Sequence, residues 1–271
     1  MIRSLKDLHI YVVSLHSEPV RKARLTDLLE TAGLLPQTTF LPAVHKSYIN
    51  KNYLDSQGFA VFDEWLGTDH SAYQNPIKTG EIACAIGHYM GWKAFSKSKY
   101  KYALILEDDA VWEEDIVKEL KEFIQFNKKD KSNIFYLGRI VLKPNHTRYD
   151  GFDELKELKG EEWVTDRYTR PVFSYNLQSY VLDRKAVTTI LDSEPEKALM
   201  TPDDIVPAFY TDHRHEKIRK RFPKKLKALA LTVASEPNNT ERPNVSVGIT
   251  WQEAGAGVSF SILNNSEAYK E

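Results

Sequence analysis

The stretch YALILEDDAVWEEDI, residues 102–116, constrains the fold of this chain more than any other. An unbroken apolar run ends there directly on the acids Glu107, Asp108 and Asp109. A run without polar alternation predicts a strand that is buried on both faces of a sheet. Ligands of open α/β sheets bind beyond the carboxyl ends of the strands, where these acids lie. The stretch therefore predicts an α/β fold with a ligand site at the end of a central strand.

The acids themselves allow two interpretations. Adjacent carboxylates repel one another, and a buried acid without a partner takes up a proton unless a cation compensates its charge. A hard divalent cation such as Mn²⁺ or Mg²⁺, shared with a diphosphate, would compensate it through oxygen ligands. Alternatively, the acids form the polar N-terminal cap of the next helix, where negative charge favours the helix dipole.

The rest of the chain alternates strand-like runs with segments of helical period, as expected for an α/β sheet. Strands are predicted at residues 9–15, 39–44, 102–107, 133–139, 177–183 and 226–235. Helices are predicted from Ser17 to Gly33 and at residues 80–95, 111–126 and 185–193. The helix at 80–95 has an apolar stripe formed by Ile82, Ile86, Met90 and Ala94. Glu81, His88 and Trp92 fall on its other side.

Two long polar stretches, residues 46–79 and 143–171, are predicted to be surface insertions. Insertions of this length often form lids or binding loops. They are expected to expose the aromatic residues Tyr48, Tyr53, Trp65, Tyr73, Trp163 and Tyr168. Residues 236–271 are predicted to be a polar C-terminal tail.

Composition limits the partners and the compartment. Thirty-seven basic residues nearly cancel 38 acidic ones, so no overall field favours nucleic acid, and none is expected as a partner. The lone Cys84 is typical of a reducing compartment. No signal peptide or transmembrane segment of about 20 apolar residues is recognisable. We expect a cytoplasmic protein or, if the chain is a domain of a longer one, a secretory-pathway lumenal protein. In the cytoplasm the sequons at Asn145, Asn238, Asn244 and Asn264 would carry no glycan.

The stretch EKIRKRFPKKLK, residues 216–227, holds seven basic residues in twelve. Such a stretch could attract an acidic acceptor, a diphosphate or a membrane surface, so peripheral membrane contact is one prediction. The alternative is a solvated basic face.

Several motifs together resemble one enzyme family. VVSLHSEPVRKARL, KTGEIACAIGHYMGWKAF, YALILEDDAVWEED, IFYLGR, SYVLDRKAVTTIL and PDDIVPAFYTDH occur in the order and spacing of the family 25 glycosyltransferases, across residues 9–215. This family includes lipooligosaccharide and collagen-type β-galactosyltransferases, and the stretches YLGR and PDDIVPAFYTDH look closer to the collagen branch. The resemblance implies a GT-A type fold, with a central mixed sheet flanked by helices. It implies one domain over residues 1–235, with a nucleotide-sugar half (1–110) and an acceptor half (111–235).

The resemblance also implies a reaction. A metal-dependent, inverting enzyme of this family would transfer a hexose from a UDP-sugar to a hydroxyl group. UDP-galactose is the first expectation for the donor, and UDP-glucose is the second. The acceptor is expected to be a glycan, a lipooligosaccharide or a hydroxylysine-containing protein.

Site residues follow from the motifs that match the family. The donor would contact Leu15, Arg21, Ala43, Glu81, His88, Glu107 and Asp108. The metal, Mn²⁺ or Mg²⁺, would be held by Asp109, Glu107 and His213. Asp203 or Asp204 would be the catalytic base, a choice that stays open, and Arg139, Tyr175 and Asn176 would bind substrate.

Each of these assignments has a structural alternative. Asp203 after Pro202 could be a helix N-cap, Arg21 could lie on a solvated helix face, and His88 could have a purely structural role. Departures from the family pattern include Ser17 and Glu18 after the first strand and His45-Lys46 after the second. Two other functions stay open: a metal-dependent phosphohydrolase, and a lectin-like module that has lost the reaction.

Overall fold

The computed structural model describes residues 5–67, 73–112, 115–141, 158, 160–232 and 246–252. In chain order its strands are β1 (Leu8–Leu15), β2 (Thr38–Ala43), β3 (Tyr102–Glu107), β4 (Ala110–Trp112), β5 (Ile134–Tyr136), β6 (Gly138–Val141), β7 (Glu162–Trp163), β8 (Tyr168–Arg170), β9 (Ser174–Tyr175), β10 (Ser179–Asp183), β11 (Ala228–Leu231), β12 (Ser246–Gly248) and β13 (Thr250–Gln252). The α-helices are α1 (Pro19–Thr31), α2 (Lys51–Gln57), α3 (Thr79–Ser96), α4 (Ile116–Asp130), α5 (Arg184–Leu191), α6 (Pro202–Ala208) and α7 (Glu216–Arg221). Short 3₁₀ helices lie at Leu35–Gln37, Lys46–Tyr48 and Pro195–Lys197.

Eight strands form the main sheet, in the order β2-β1-β3-β10-β5-β11-β8-β7. β1 pairs in parallel with β2 and β3, whereas β10 runs antiparallel to both β3 and β5. This is the mixed sheet flanked by helices that a GT-A type fold requires, so the predicted fold class is confirmed.

The centre of the sheet is buried on both faces, as the run YALILE predicts. Ile105 belongs to an apolar cluster that includes residues of α3, α5 and α6. Its neighbours Leu104 and Leu106 point to the opposite face and join a cluster with residues of α1 and α4. Successive side chains of a strand alternate between faces, so each layer of helices is anchored by the same strand.

Helix α3 lies unusually close to the sheet. A Cβ atom at Gly87 would be 2.5 Å from Cγ1 of Val13, and one at Gly91 would be 3.3 Å from Cδ1 of Ile105. The predicted apolar stripe of α3 packs in or against the core, and α5 and α6 also contact the helix. His88 of α3, which was predicted on the side of the helix away from the core, is therefore fully buried.

Two local predictions differ from the structure. Residues 111 and 112, predicted to begin a helix, belong instead to β4, which pairs with the distant β13. Helix α4 begins only at Ile116, and the side chain of Asp115 caps it by accepting a hydrogen bond of 3.0 Å from the backbone amide of Lys118. The predicted strand at 133–139 is interrupted at Leu137, after which β6 joins β12 and β9 in a separate sheet.

The aromatic residues of the insertions are mostly not exposed. Tyr48 and Trp163 are on the surface, with 64% and 48% of their areas exposed. Trp65, Tyr73 and Tyr168 are buried, with 6%, 0% and 5% exposed, which corrects the prediction for them. Of the predicted tail, residues 246–248 form β12 and residues 250–252 form β13. The sequons at Asn145, Asn238, Asn244 and Asn264 lie outside the described residues.

The basic stretch 216–227 makes local ion pairs. Lys217 lies 2.7 Å from Glu64, and Lys224 lies 3.6 Å from Asp212. Lys227 lies 3.2 Å from Asp130. These pairs fit a solvated basic face, and membrane contact stays a prediction. In the described part of the chain, no helix is long and apolar enough to cross a bilayer.

Candidate active site

A cleft lies beyond the carboxyl end of β3 and consists of two adjoining pockets. The first, the β3 pocket, has a volume of about 200 Å³ and is lined by all three acids that follow the strand. The second, the α6 pocket, has a volume of about 350 Å³ and is lined by Trp65, Tyr175 and Asp204. Cys84, Pro202 and Asp203 line both pockets. A ligand that fills the cleft would therefore extend from the end of β3 to the start of α6.

Most of the predicted site residues line this cleft. The β3 pocket contains Leu15, Arg21, Ala43, His88, Glu107, Asp108, Asp109, Asn176 and Asp203. The α6 pocket contains Glu81, Tyr175, Asp203 and Asp204. Arg139 and His213 line neither of them.

Asp108 and Asp109 have different surroundings. Oδ2 of Asp108 accepts a hydrogen bond of 2.9 Å from the backbone amide of Leu15, and Arg21 donates to its Oδ1 over 3.4 Å. Arg21 is only 6% exposed and lies 3.7 Å from Oδ2 of Asp109, so it is not on a solvated helix face. Oδ1 of Asp109 is buried without a hydrogen-bond partner among the described residues. Burial, followed by the charge of Glu107, raises the pKa of Asp109 to about 7.

Glu107 ends a chain of buried polar contacts. Nε2 of His88 lies 3.0 Å from Oε1 of Glu107, and Nδ1 of His88 lies 2.8 Å from the Tyr180 hydroxyl. Trp92 donates to the same hydroxyl over 2.9 Å. Tyr180 is therefore free to donate to Nδ1, which leaves the His88 proton on Nε2, facing Glu107. Burial alone would raise the pKa of Glu107, but the hydrogen bond from His88 lowers it.

Asp204 is held by three hydrogen bonds. Tyr73 and His213 donate to Oδ1 over 2.6 and 3.0 Å, and Thr201 donates to Oδ2 over 2.5 Å. Burial opposes the charge, but the bonds from His213, Thr201 and Tyr73 lower the pKa of Asp204. Asp204 is therefore a fixed, ionised carboxylate.

The assignment of His213 as a metal ligand is corrected by this arrangement. Nδ1 of His213 accepts a hydrogen bond of 3.1 Å from the backbone amide of His215, so the neutral ring carries its proton on Nε2. That proton faces Asp204. Neither nitrogen offers a lone pair to a metal, and His213 instead positions Asp204.

Asp203 has a more open environment than its neighbour. Its Oδ1 accepts a hydrogen bond of 3.1 Å from the backbone amide of Leu177. Burial, followed by the charges of Glu107 and Asp204, raises the pKa of Asp203 to about 8. The N-cap residue of α6 is Thr201, so the alternative that Asp203 is an N-cap is wrong.

Arg139 lies in the interior of the protein and not in the cleft. It is fully buried, and its guanidinium group donates to both carboxylate oxygens of Glu161 over 2.7 and 2.6 Å. It also donates to Oγ of Ser174 over 3.0 Å. Arg139 therefore joins β6 to β9 and the segment before β7, and we correct its assignment as a substrate-binding residue.

The sequence interpretation missed the roles of Arg214 and Tyr73, which lie beside the α6 pocket. The guanidinium group of Arg214 donates to the hydroxyl groups of Tyr175 over 2.7 Å and Tyr73 over 3.2 Å. It also lies 5.0 Å from the centre of the Tyr73 ring. The available signal was the cluster YTDHRH, in which Arg214 directly follows His213.

Solved structures resemble the chain only distantly. A197 from STIV matches 82% of this chain and 81% of its own with a TM-score of 0.39 and 12% identity. UDP-glucose pyrophosphorylase complexed with UDP-glucose matches 84% of this chain and 75% of its own with a TM-score of 0.34 and 8% identity.

Curated relatives share sequence over most of the chain. A glycosyltransferase 25 family member of Drosophila pseudoobscura pseudoobscura is 26% identical over 83% of this chain and 33% of its own length. A probable inactive glycosyltransferase 25 family member 3 of Bos taurus is 23% identical over 82% of this chain and 35% of its own. Procollagen galactosyltransferase 1 of Danio rerio is 21% identical over 68% of this chain and 29% of its own. The chain thus spans about a third of the length of these relatives.

The family itself is shown by a match over most of the chain. The model described as glycosyltransferase family 25 (LPS biosynthesis protein) matches residues 7–206. This range includes β1, the β3 acids, α3 and the first residues of α6, which together line the cleft. The chain belongs to glycosyltransferase family 25.

Proposed function

We propose that the chain is a metal-dependent, inverting hexosyltransferase that uses a UDP-sugar, with UDP-galactose as the first candidate and UDP-glucose as the second. The observation that carries this proposal is the juxtaposition in one cleft of the β3 acids and the Asp203–Asp204 pair. Sugar transfer by direct displacement needs both: a site for the departing diphosphate and a carboxylate that takes a proton from the acceptor.

The β3 pocket is the proposed donor site. Oδ1 of Asp109 is a buried oxygen that has no hydrogen-bond partner in the described part of the chain, and carboxylate oxygens are the ligands that Mn²⁺ or Mg²⁺ prefers. Asp109 would hold the metal, because the oxygens of Asp108 accept hydrogen bonds from the Leu15 amide and Arg21, and Glu107 lies against the thiol of Cys84, a type of ligand that hard cations avoid. When bound, the metal would neutralise negative charge on the diphosphate. Arg21 lies beside the same acids and would add a second positive charge.

The α6 pocket is the proposed acceptor site, with Asp203 as the base. A general base works best when its pKa lies near the operating pH, and that of Asp203 is raised to about 8. Asp204 is a weaker candidate, because both of its oxygens accept hydrogen bonds. Asp203 would remove the acceptor proton as the hydroxyl oxygen bonds to the anomeric carbon and the bond from that carbon to the diphosphate breaks. Tyr175 and Asn176 would contact the sugar or the acceptor.

The acceptor is a hydroxyl group of a glycan, a lipooligosaccharide or a hydroxylysine-containing protein. The last class is supported by the name of the zebrafish relative, procollagen galactosyltransferase 1. The match covers only 29% of that relative, so the similarity does not by itself assign the relative's acceptor to this chain.

A second candidate function is a sugar-binding module without catalysis. It is favoured by relatives from Bos taurus and Rattus norvegicus, which are named probable inactive family members. The acids of the cleft argue for activity, because a module that only binds sugar does not need an acid whose pKa is raised to about 8 beside the proposed acceptor site.

A panel of nucleotide sugars tests the two functions. Release of UDP is followed with Mn²⁺, with and without hydroxyl acceptors, and thermal stabilisation by each donor is measured alongside. Transfer from UDP-galactose or UDP-glucose supports the enzyme. Stabilisation by a donor without any UDP release supports the binding module. No turnover and no stabilisation by any donor would contradict both.

A further inference from the structure

Cys84, His88 and Glu107 converge at one point of the β3 pocket. One ligand atom from each lies within 4.8 Å of the other two. Cys84 and His88 are one turn apart on α3, and Glu107 is the last residue of β3. The close approach of α3 to the sheet at Gly87 brings these two elements together. All three residues line the β3 pocket, so a small ion in the cleft could reach them.

Two of the three distances between these ligand atoms are close to those of a tetrahedral metal site, and the third is at most 4.8 Å. Sγ of Cys84 lies 3.6 Å and Nε2 of His88 lies 3.0 Å from Oε1 of Glu107. In a tetrahedral zinc site, bond lengths of about 2.3 Å to sulfur and about 2.0 Å to nitrogen and oxygen place these pairs about 3.5 and about 3.3 Å apart. Small side-chain shifts would therefore suffice to admit the ion.

The surroundings of the three residues also suit a metal. Nδ1 of His88 lies 2.8 Å from the Tyr180 hydroxyl, which can accept a hydrogen bond from the ring N–H when Nε2 binds a metal. Oε2 of Glu107, the oxygen not shared with His88, accepts a hydrogen bond of 3.1 Å from Gln252. One thiolate and one carboxylate would neutralise a divalent ion, which limits the cost of burying it.

We propose that Cys84, His88 and Glu107 form a binding site for a borderline-soft divalent cation, for which Zn²⁺ is the best fit, and that this ion inhibits sugar transfer. Coordination releases the thiol proton to solvent, and the His88 proton moves to Nδ1. The site differs from the proposed Mn²⁺ site at Asp109, because hard cations prefer oxygen and avoid thiolate. Inhibition follows because the ion lies in the pocket proposed for the donor diphosphate. Only the inhibition rests on the proposed function.

Cobalt spectroscopy tests the site directly. The chain has one cysteine, so a thiolate-to-Co²⁺ charge-transfer band can come only from Cys84. Titration of the metal-free protein with Co²⁺ should give this band together with the visible bands of tetrahedral cobalt, and Zn²⁺ should displace both. In Cys84→Ser the dissociation constant for Zn²⁺ should rise at least about 100-fold. This is more than the usual effect of losing a residue that only hydrogen-bonds to a metal ligand.

Matched variants separate the site from nonspecific binding. Glu107→Gln and His88→Gln should shift or remove the tetrahedral bands, whereas Asp109→Asn should keep them. Circular dichroism identifies any variant that fails to fold, and Cys84→Ala then replaces Cys84→Ser. A thiolate band that is unchanged in the Glu107 and His88 variants would reduce the site to a lone cysteine and overturn the proposal. Absence of the band in the wild-type protein would overturn it as well.

An activity measurement tests the inhibition separately. Zn²⁺ should inhibit the wild-type enzyme, and Cys84→Ala should need at least about tenfold more Zn²⁺ for half-inhibition, each protein being compared with its own uninhibited rate. Equal sensitivity of the two proteins would refute the inhibitory role. If no transfer is found with any donor, the proposed function fails while the cobalt spectra still decide the metal site.

Discussion

The two pockets of the cleft hold their carboxylates in opposite ways. In the α6 pocket, Asp204 accepts hydrogen bonds from Tyr73, His213 and Thr201, and these bonds lower its pKa. In the β3 pocket, Asp109 is equally buried, but its Oδ1 has no partner among the described residues and its pKa is raised to about 7. The charge of Asp204 is stabilised by hydrogen bonds from the protein itself. The charge of Asp109 is compensated only in part, by Arg21 at 3.7 Å, and a bound cation would supply the rest.

This difference indicates which parts of the cleft are preorganised. A carboxylate with three hydrogen bonds contributes to the stability of the fold and keeps its position whether or not a ligand is present. A buried carboxylate without compensation costs stability until a cation binds. Substitutions in the Asp204 network should therefore lower the stability of the fold, whereas substitution of Asp109 should mainly weaken ligand binding.

The largest expected effect is on catalysis. Asp203→Asn should lower kcat by roughly 10²- to 10⁴-fold, the contribution typical of a general base, while the Kd for the donor changes little. Initial rates of UDP release with acceptor and calorimetric titration with UDP-galactose measure the two quantities. Asp212→Asn, at a side chain that is 87% exposed, is the matched control. Wild-type rates in Asp203→Asn would move the base to another residue.

The next effect is on stability, through the α6 pocket. Tyr73→Phe removes one hydrogen bond to a buried charge and should lower the free energy of unfolding by about 1.5–3 kcal/mol. Urea denaturation at neutral pH measures this change. Tyr48→Phe, at a tyrosine that is 64% exposed, should change stability by less than about 0.5 kcal/mol. Similar values for the two variants would mean that the Asp204 network is not a structural unit.

In the β3 pocket the expected change in the stability of the metal-free protein has the opposite sign. Asp109→Asn removes a charge that burial and Glu107 disfavour, so the metal-free protein should become more stable at pH 8. The same variant should weaken Mn²⁺ binding by at least about 10- to 100-fold, because it removes the proposed ligand itself. Thermal unfolding with and without Mn²⁺ measures both changes. A variant that loses stability without metal would show that Asp109 is a structural acid like Asp204.

The smallest expected effect is on pH dependence. Protons compete with the cation for Asp109, whose pKa is raised to about 7. Affinity for Mn²⁺ should therefore rise with pH and be about tenfold lower at pH 6 than at pH 8. Calorimetric titrations at both pH values measure this ratio. A ratio near one would place the metal on groups that are already ionised at pH 6.

The sequence was informative where function depends on local pattern. The run YALILE and the acids after it predicted both a buried central strand and the position of the cleft, because each depends on neighbouring residues. β4 was not predictable, since its partner β13 follows more than a hundred residues later. The role of Tyr73 was missed for the same reason, and that of His213 because the local sequence does not fix which partner each ring nitrogen faces. Tyr73 reaches Asp204 across 131 residues, and only the fold shows that His213 already has partners on both nitrogens.

Calorimetric titration of the wild-type protein with UDP-galactose, with and without Mn²⁺, tests the central claim most directly. The claim is that the β3 pocket is an incomplete site that a cation and a nucleotide sugar complete together. It predicts binding in the presence of Mn²⁺ and a loss of most of the affinity when the metal is chelated. Equal affinity with and without Mn²⁺, or no binding under either condition, would contradict it.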